Sequence, residues 1–486
     1  MSEFKSILEN YPNYLLTIGI EVHVQLKTNS KIFCSCPNQF GQEPNTNICQ
    51  VCAGHPGVLP VLNKKVVDCG IMAGLATNSV IAKECDFARK HYMYPDLPKN
   101  YQITQADRPI CTKGFIPIEC ADGSEKKVRL VRIHMEEDAG KNIHGTGGKS
   151  WVDLNRAGTP LLEIVSEPDM ESTVEAKSYV TRLHSLIRYL GISDANMDEG
   201  SFRADINISL RKKEQKEYGT KVELKNINSF KFIGNAIEFE IQRQVGMLEA
   251  GEKIKQETRL WDSKQQKTIF MRSKEEAQDY RYFTEPDLPF IQIDDAWIER
   301  IKKLVPELPH DKYKRFQQEY GLSAYESEIL IEEPIIADFF EEAARTSKLP
   351  KQVSNWILRD LLAYLKENKL EVNQTKITPQ GVAELVLCLD KGVINSKVAQ
   401  EIFIDMLQTG KTADSIIKEK GLEQIGSSEE LEKIVLKIIA DNPDNVAKYK
   451  AGYERLFTFF VGQAMKETKG KGNPTILQEL IKKHLG

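Results

Sequence analysis

The chain has no run of about 18 apolar residues, so no helical span of a bilayer is available. Its opening Met-Ser-Glu-Phe-Lys-Ser lacks the basic stretch, apolar stretch and small-residue cleavage site of a secretory signal, and does not read as a transit peptide. A cytoplasmic location is the expectation. An excess of one charge sign is missing too: 66 Lys and Arg stand against 70 Asp and Glu, a formal charge of −4. That excludes a histone-like basic coat, but a local basic patch would still suffice for a nucleic acid. No G-x-S-x-G element is present, and the Ser427-Ser428 pair sits in a polar helix-start context, so no hydrolytic serine declares itself. Gly147-Gly148-Lys149-Ser150 ends like a P-loop, but Ile143 occupies the required first glycine position. No G-x-G-x-x-G follows a strand. Neither a P-loop enzyme nor a Rossmann dehydrogenase is supported.

What is present is ample apolar mass. A length of 486 residues corresponds to about three domains, and 41% hydrophobic with 28% charged residues is the balance of a globular chain with large cores. Short strands with Gly, Pro and Asn fill the chain to about residue 290. From Ala296 onward the periodicity is helical, beginning with Trp297–Leu304, and Pro306, Pro309, Pro334, Pro350, Pro379 and Pro443 mark helix boundaries. The expected fold class is α+β: a mixed or antiparallel-sheet cradle over 1–293, a helical domain over 294–408 and a small helical tail over 409–486.

Four strands carry the chemistry. In Ile18–Leu26 the apolar residues alternate strictly, which leaves Glu21, His23 and Gln25 together on the other face. Same-face neighbours on a strand stand roughly 6.6 Å apart, so a carboxylate and an imidazole there can converge on one cation. Val128–Lys141 places Arg132, His134 and Glu136 on one side and runs into the acids Glu136, Glu137 and Asp138. Phe202–Leu210 presents Arg203, Asp205, Asn207 and Ser209; Lys221–Asn228 presents Lys221, Glu223 and Lys225. The polar stretch Arg211–Thr220 between these two predicts an antiparallel pair. Any one such face could be a solvated sheet surface. Four of them, built from Glu, His, Arg, Asp and Asn, form the inventory that binds Mg²⁺ and phosphate.

Cys34, Cys36, Cys49 and Cys52 follow the spacing C-x-C-x12-C-x2-C, which suits tetrahedral Zn²⁺. Four thiolates leave no open position, so the site is assigned to folding. The other five cysteines are scattered and read as core residues. Near the C-terminus, residues 461–486 hold five lysines against two glutamates, and glycines between the lysines let ammonium and amide groups approach a phosphate backbone.

Read together, Ile18–Leu26, Lys90–Gln105, His134–Lys141, Asp153–Ile164, Glu199–Leu210, Lys221–Phe230 and the 462–474 tail resemble the B-subunit family of the three-subunit aspartyl/glutamyl-tRNA amidotransferases. The resemblance implies a ligase subunit that uses ATP to phosphorylate the side-chain carboxylate of Glu or Asp misacylated on tRNA. Ammonia from a partner amidase subunit then displaces the phosphate, and a small third subunit braces the pair. It further implies that Glu21, His23, Glu136 and Glu223 hold Mg²⁺. On charge and motif position, Lys99, Arg203 and Lys225 are expected to clamp ATP phosphates or the carboxylate, with Asp205, Asn207 and Asn226 as orienting groups. Lys466, Lys469, Lys471 and Asn473 are expected to contact tRNA. The rival readings are a non-catalytic tRNA-binding scaffold with structural zinc, and a stand-alone metal-dependent hydrolase. Neither uses the whole set: the scaffold leaves the acidic and histidine face idle, the hydrolase leaves the basic tail idle.

Overall fold

The computed structural model describes residues 6–273, 280–422, 428–468 and 472–486. It divides into two compact units, Met1–Asp311 and Lys312–Gly486. The first is α+β and the second is helical, as the change of periodicity near Ala296 implies.

The first unit is organised by a ten-stranded mixed sheet. Its central strand, Tyr14–Gln25, pairs antiparallel with Pro160–Ser166 on one side and Phe202–Lys212 on the other. Beyond Pro160–Ser166 lies Glu125–Glu137; beyond Phe202–Lys212 lie Val222–Ile227, Glu257–Asp262 and Lys267–Ser273. The expected antiparallel pairing of the third and fourth chemistry-bearing strands is present. The next pair, Val222–Ile227 with Glu257–Asp262, is parallel, because the helix Phe230–Glu249 carries the chain across in between.

The alternation seen in the sequence is the alternation of burial. Ile18, Ile20, Val22, Val24 and Leu26 are all at most 1% exposed and form the middle of the core. On Thr173–Tyr189, Ala176, Val180, Leu183 and Ile187 recur at the three- and four-residue spacing of one helical face and are fully buried. Ser172 caps that helix by accepting from the Glu175 amide, and Ser229 caps Phe230–Glu249 by accepting from Phe232. Each buried strand side chain contributes about 1.5–3 kcal/mol, so this face settles which side of the sheet the polar row must occupy.

In the second unit the prolines stand where the sequence reading puts them. Pro334, Pro350, Pro379 and Pro443 each open a helix, where a missing N–H costs nothing. The helix expected at Trp297–Leu304 runs Asp295–Lys302 instead, because Asp294 caps it by accepting from the Trp297 amide. The helix Ala413–Lys420 packs with Pro379–Asp390 and Ser396–Thr409. Past it, Leu431, Val435, Phe460, Leu477, Ile481 and Leu485 form a separate small core. No helix among the described residues is long and apolar enough to cross a membrane.

Candidate active site

Strand register assembles the site. His23 is the direct cross-strand partner of Glu163 on one side and Arg203 on the other, and Glu163 is in turn the partner of His134. One row across four strands therefore reads His134, Glu163, His23, Arg203. The next row places Glu21 opposite Asp205. Side chains directly opposite on antiparallel strands point to the same face, so these groups must meet.

They meet around Glu163, which faces both His23 and His134. His23 Nε2 lies 3.5 Å from Glu163 Oε2 and 3.8 Å from Glu136 Oε1. His134 Nε2 lies 3.1 Å from Glu163 and 3.5 Å from Glu136. One donor atom each from His23, Glu136 and Glu163 fall within 4.8 Å of one another. Thr104 Oγ1 donates to Glu136 Oε2 at 3.0 Å and fixes that carboxylate. The cluster is almost dry: Glu136 is 3%, His134 4% and His23 20% exposed at the side chain.

Burial opposes charge here and loses. Desolvation pulls the His23 and His134 imidazoles down, but Glu163 and Glu136 outweigh it and raise both, His134 to about 9. Conversely, burial pushes the Glu136 and Glu163 carboxyls up, and the histidines bring both below their ordinary value. Two carboxylates held this close to two imidazoles stabilise positive charge, here as protons on the histidines.

The other expected residues fall around this centre. Glu21 accepts from Asn207 Nδ2 at 2.9 Å and is not one of the three convergent donors. Glu223 stands farther along the sheet, accepting from Thr258 at 2.8 Å and facing Lys225 at 3.2 Å. Lys225 Nζ bonds Asp205 at 2.5 Å. A bulge in this strand pair lets Lys225 and Asn226 together oppose Asp205; Asn226 adopts φ +64° and donates to the Trp261 carbonyl, away from the cluster. Arg203 donates to Asp138 Oδ2 at 3.0 Å, and Gln25 joins the same oxygen at 2.8 Å. Lys99 binds Glu137, with Nζ 2.6 Å from Oε2. In the tail, Lys466 is exposed and Asn473 caps the helix Pro474–Leu485, its Oδ1 accepting from Thr475 and Ile476. Lys469 and Lys471 lie outside the described residues.

Glu163 and His134 stand outside the ligand set expected from the sequence. The signal for Glu163 is a single acid inside the apolar run Pro160-Leu161-Leu162-Glu163-Ile164-Val165. Lys90 is a further residue that sequence reasoning misses. Its ammonium lies 5.0 Å from the centre of the Tyr280 ring and 5.9 Å from that of Tyr92. Burial pulls it down, but Glu136, Tyr282 and Glu163 raise it. At the other end of the first strand a cavity of about 290 Å³ is lined by Thr17, Gly19, Glu21, Pro168, Asn207 and Tyr218. Asn207 Oδ1 is buried there with no hydrogen-bond partner among the described residues.

The four expected zinc cysteines converge. One sulfur from each lies within 4.8 Å of the others, with Cys36–Cys52 at 4.0 Å and Cys49–Cys52 at 3.9 Å. Sulfurs about 2.3 Å from a tetrahedral ion stand about 3.8 Å apart, so the donor set fits Zn²⁺.

The polar face of the mixed sheet thus gathers one candidate active site, with a candidate metal knuckle beside it. Residues 16–299 match the family model described as the GatB/GatE catalytic domain, and residues 338–485 match the GatB domain. The chain is 52% identical over 472 residues, 97% of its length, to the B subunit of the aspartyl/glutamyl-tRNA(Asn/Gln) amidotransferase of Thermodesulfovibrio yellowstonii, of which it covers 99%. Identity is 52% to the corresponding protein of Persephonella marina over 96% of this chain and 99% of the relative, and 50% to that of Carboxydothermus hydrogenoformans over 97% and 99%. The chain belongs to the B-subunit family of the aspartyl/glutamyl-tRNA amidotransferases.

Proposed function

We propose that the first unit is an ATP-dependent kinase for the side-chain carboxylate of Glu or Asp misacylated on tRNA, working in the cytoplasm beside an amidase subunit and a small third subunit. One observation carries the reading: His23, Glu136 and Glu163 converge on a single buried point of the sheet. A tRNA scaffold gains nothing from three buried ligating groups.

A carboxylate oxygen of the substrate attacks the γ-phosphorus, the bond to ADP breaks, and an acyl phosphate forms. Ammonia from the partner then attacks the acyl carbon, phosphate leaves with the C–O bond electrons, and the surplus proton goes to solvent. The nucleophile is already an anion at pH 7, so no base is needed; alignment and charge neutralisation are. The donor set of two carboxylates and an imidazole fits Mg²⁺ or Mn²⁺. Bound there, such an ion would neutralise the phosphate and substrate oxygens.

The chain's own residues do the rest. Lys90 brings a cation against the cluster from the aromatic side. Arg203 and Lys225 supply cations from the other flank, and Asp138 and Asp205 hold them in place until substrate arrives. Tight pairing with Glu137 makes Lys99 a support for the acid run more than a free clamp. The apolar cavity beside Gly19, with an Asn207 oxygen unpartnered among the described residues, suits the base of the nucleotide. In the second unit, Lys466, with Lys469 and Lys471, is our candidate tRNA contact. Functionally we divide the chain into a kinase domain, a helical domain and a tRNA-contacting tail.

The test uses the chain co-purified with its two partners, γ-labelled ATP, Mg²⁺ and Glu-tRNA without an ammonia donor. Phosphate release that needs charged tRNA and disappears in His23→Ala and Glu163→Gln is expected. Intact tRNA binding with no tRNA-dependent ATP cleavage would overturn the reading.

A further inference from the structure

Lys31 is fully buried, and no carboxylate pairs with it among the described residues. Its ammonium donates to the carbonyls of Asn47 at 2.8 Å and Leu154 at 3.3 Å, and to Cys52 Sγ at 3.6 Å. A cation taken out of water with neither counter-ion nor solvent is strongly unfavourable. Among the described residues, the cysteine cluster it touches is the group that can supply the anion. A divalent ion held by four thiolates is a dianion; four protonated thiols carry no charge.

We propose that Lys31 is the built-in counter-ion of a metal-loaded four-cysteine centre, and a positioning residue that rivets this knuckle to the loop 153–159 behind the active-site acids. With the ion bound, the ammonium would halve the dianion's charge, and its N–H to Cys52 would withdraw electron density from that sulfur, making it a weaker base that is less readily protonated off the metal.

The knuckle reaches the acids on two sides. On one, Leu154 and Asn155 bind it: the Asn47 amide donates to Asn155 Oδ1 at 2.8 Å, the Leu154 amide to Asn45 Oδ1 at 2.8 Å, and the Ile32 amide to the Gly158 carbonyl at 2.9 Å. Gly158 has φ +82°, and a Cβ there would touch Lys31 Cδ and Cys52 Cβ at 3.5 and 3.6 Å. The same loop donates the Gly158 amide to the Asp138 carbonyl at 3.0 Å, and Arg156 Nε lies 3.7 Å from Asp138 Oδ2. On the other side, Gly54 packs so closely on Lys99 that a Cβ would stand 2.8 Å from Lys99 Cγ and 3.0 Å from its nitrogen. Lys99 is the residue that holds Glu137. The metal knuckle therefore backs both Glu137 and Asp138, the two acids that follow Glu136. This assignment stands on the buried charge and is independent of the kinase reading.

The test uses the full chain in its complex. Zinc content is measured, then zinc release to a chromogenic chelator under native conditions, in the natural protein, Lys31→Met and Lys31→Arg. We expect about one zinc per chain, release at least ten-fold faster in Lys31→Met, and partial recovery in Lys31→Arg. In the cobalt-substituted protein the sulfur-to-metal charge-transfer band should move to lower energy in Lys31→Met, a shift that loss of packing alone does not cause. Because Lys31→Met could fail to fold, a second measurement needs no variant. Stripping the metal from the natural protein should raise amide hydrogen exchange at 153–159 while Phe202–Lys212 stays protected. A metal-free natural protein with four freely alkylated thiols would overturn the proposal. So would unchanged release and spectrum in Lys31→Met, or exchange at 153–159 that ignores the metal.

Discussion

His23 and Glu163 are cross-strand partners at the centre of the first unit, with Nε2 and Oε2 3.5 Å apart. That pairing turns an acid inside an apolar run into the hub of the candidate site, since Glu163 also faces His134 at 3.1 Å.

Glu163→Gln keeps the shape and removes the charge. It should lower the tRNA-dependent ATP cleavage rate by about 3 kcal/mol of transition-state stabilisation, on the order of a hundred- to a thousand-fold. The urea midpoint should fall as well, because His23 and His134 lose a buried charge partner, so the rates are compared where both proteins are fully folded. Steady-state phosphate release beside a denaturation curve decides it; an unaltered rate would remove Glu163 from the site.

Lys225 bridges Asp205 and Glu223, and its side chain is 28% exposed. Lys225→Met leaves two carboxylates facing each other and should destabilise the first unit by about 2 kcal/mol, below the full cost of breaking a wholly buried pair. Asp205→Asn added to it should recover part of that loss. A double-mutant cycle from urea midpoints measures the coupling, and strictly additive changes would refute the pairing.

His184 gives the fold a pH dependence away from the catalytic cluster. Burial between Phe202 and Phe230 pushes its imidazole below the ordinary 6.5, although the Ala195 carbonyl, which accepts from Nε2 at 2.9 Å, opposes this. The folded state thus favours neutral imidazole more than the unfolded chain does. Stability from this group is full above about 6.5 and falls as pH drops from there toward the lower folded value. Urea midpoints taken from pH 7 down to 5 should fall less steeply in His184→Gln than in the natural protein.

Leu477 is fully buried in the small core of the tail. Leu477→Ala should destabilise that core by about 2–5 kcal/mol. Hydrogen exchange should rise in the helices Ser428–Asp441 and Leu456–Glu467 and not in the strand Tyr14–Gln25, whose core is a different one. Equal loss of protection in both would show that the cores unfold as one.

Parts of the site are legible in the sequence for a local reason. Strict alternation in Ile18–Leu26 exposes Glu21 and His23 as a pair, and the same rule isolates Glu136. The cysteine spacing, being local, names its own cluster. Glu163 escapes because a strand apolar on both faces reads as buried, and one acid in it looks like an exception. Glu223 also lies on a polar face, and the register carries it to Thr258 and Lys225.

The sequence by itself determined which residues share a face, where prolines open helices, and that four thiols gather. These follow from backbone period, proline geometry and short loops, all properties of neighbours in the chain. Tertiary structure alone decided that His23 meets Glu163 and Glu136 more closely than Glu21 or Glu223, and that a buried lysine stands against the cysteines. Those choices depend on register between strands distant in sequence. Register is set by burying Ile18, Ile20, Val22 and Val24 against helices that fold elsewhere, and a shift of one residue would turn every one of those side chains to the opposite face.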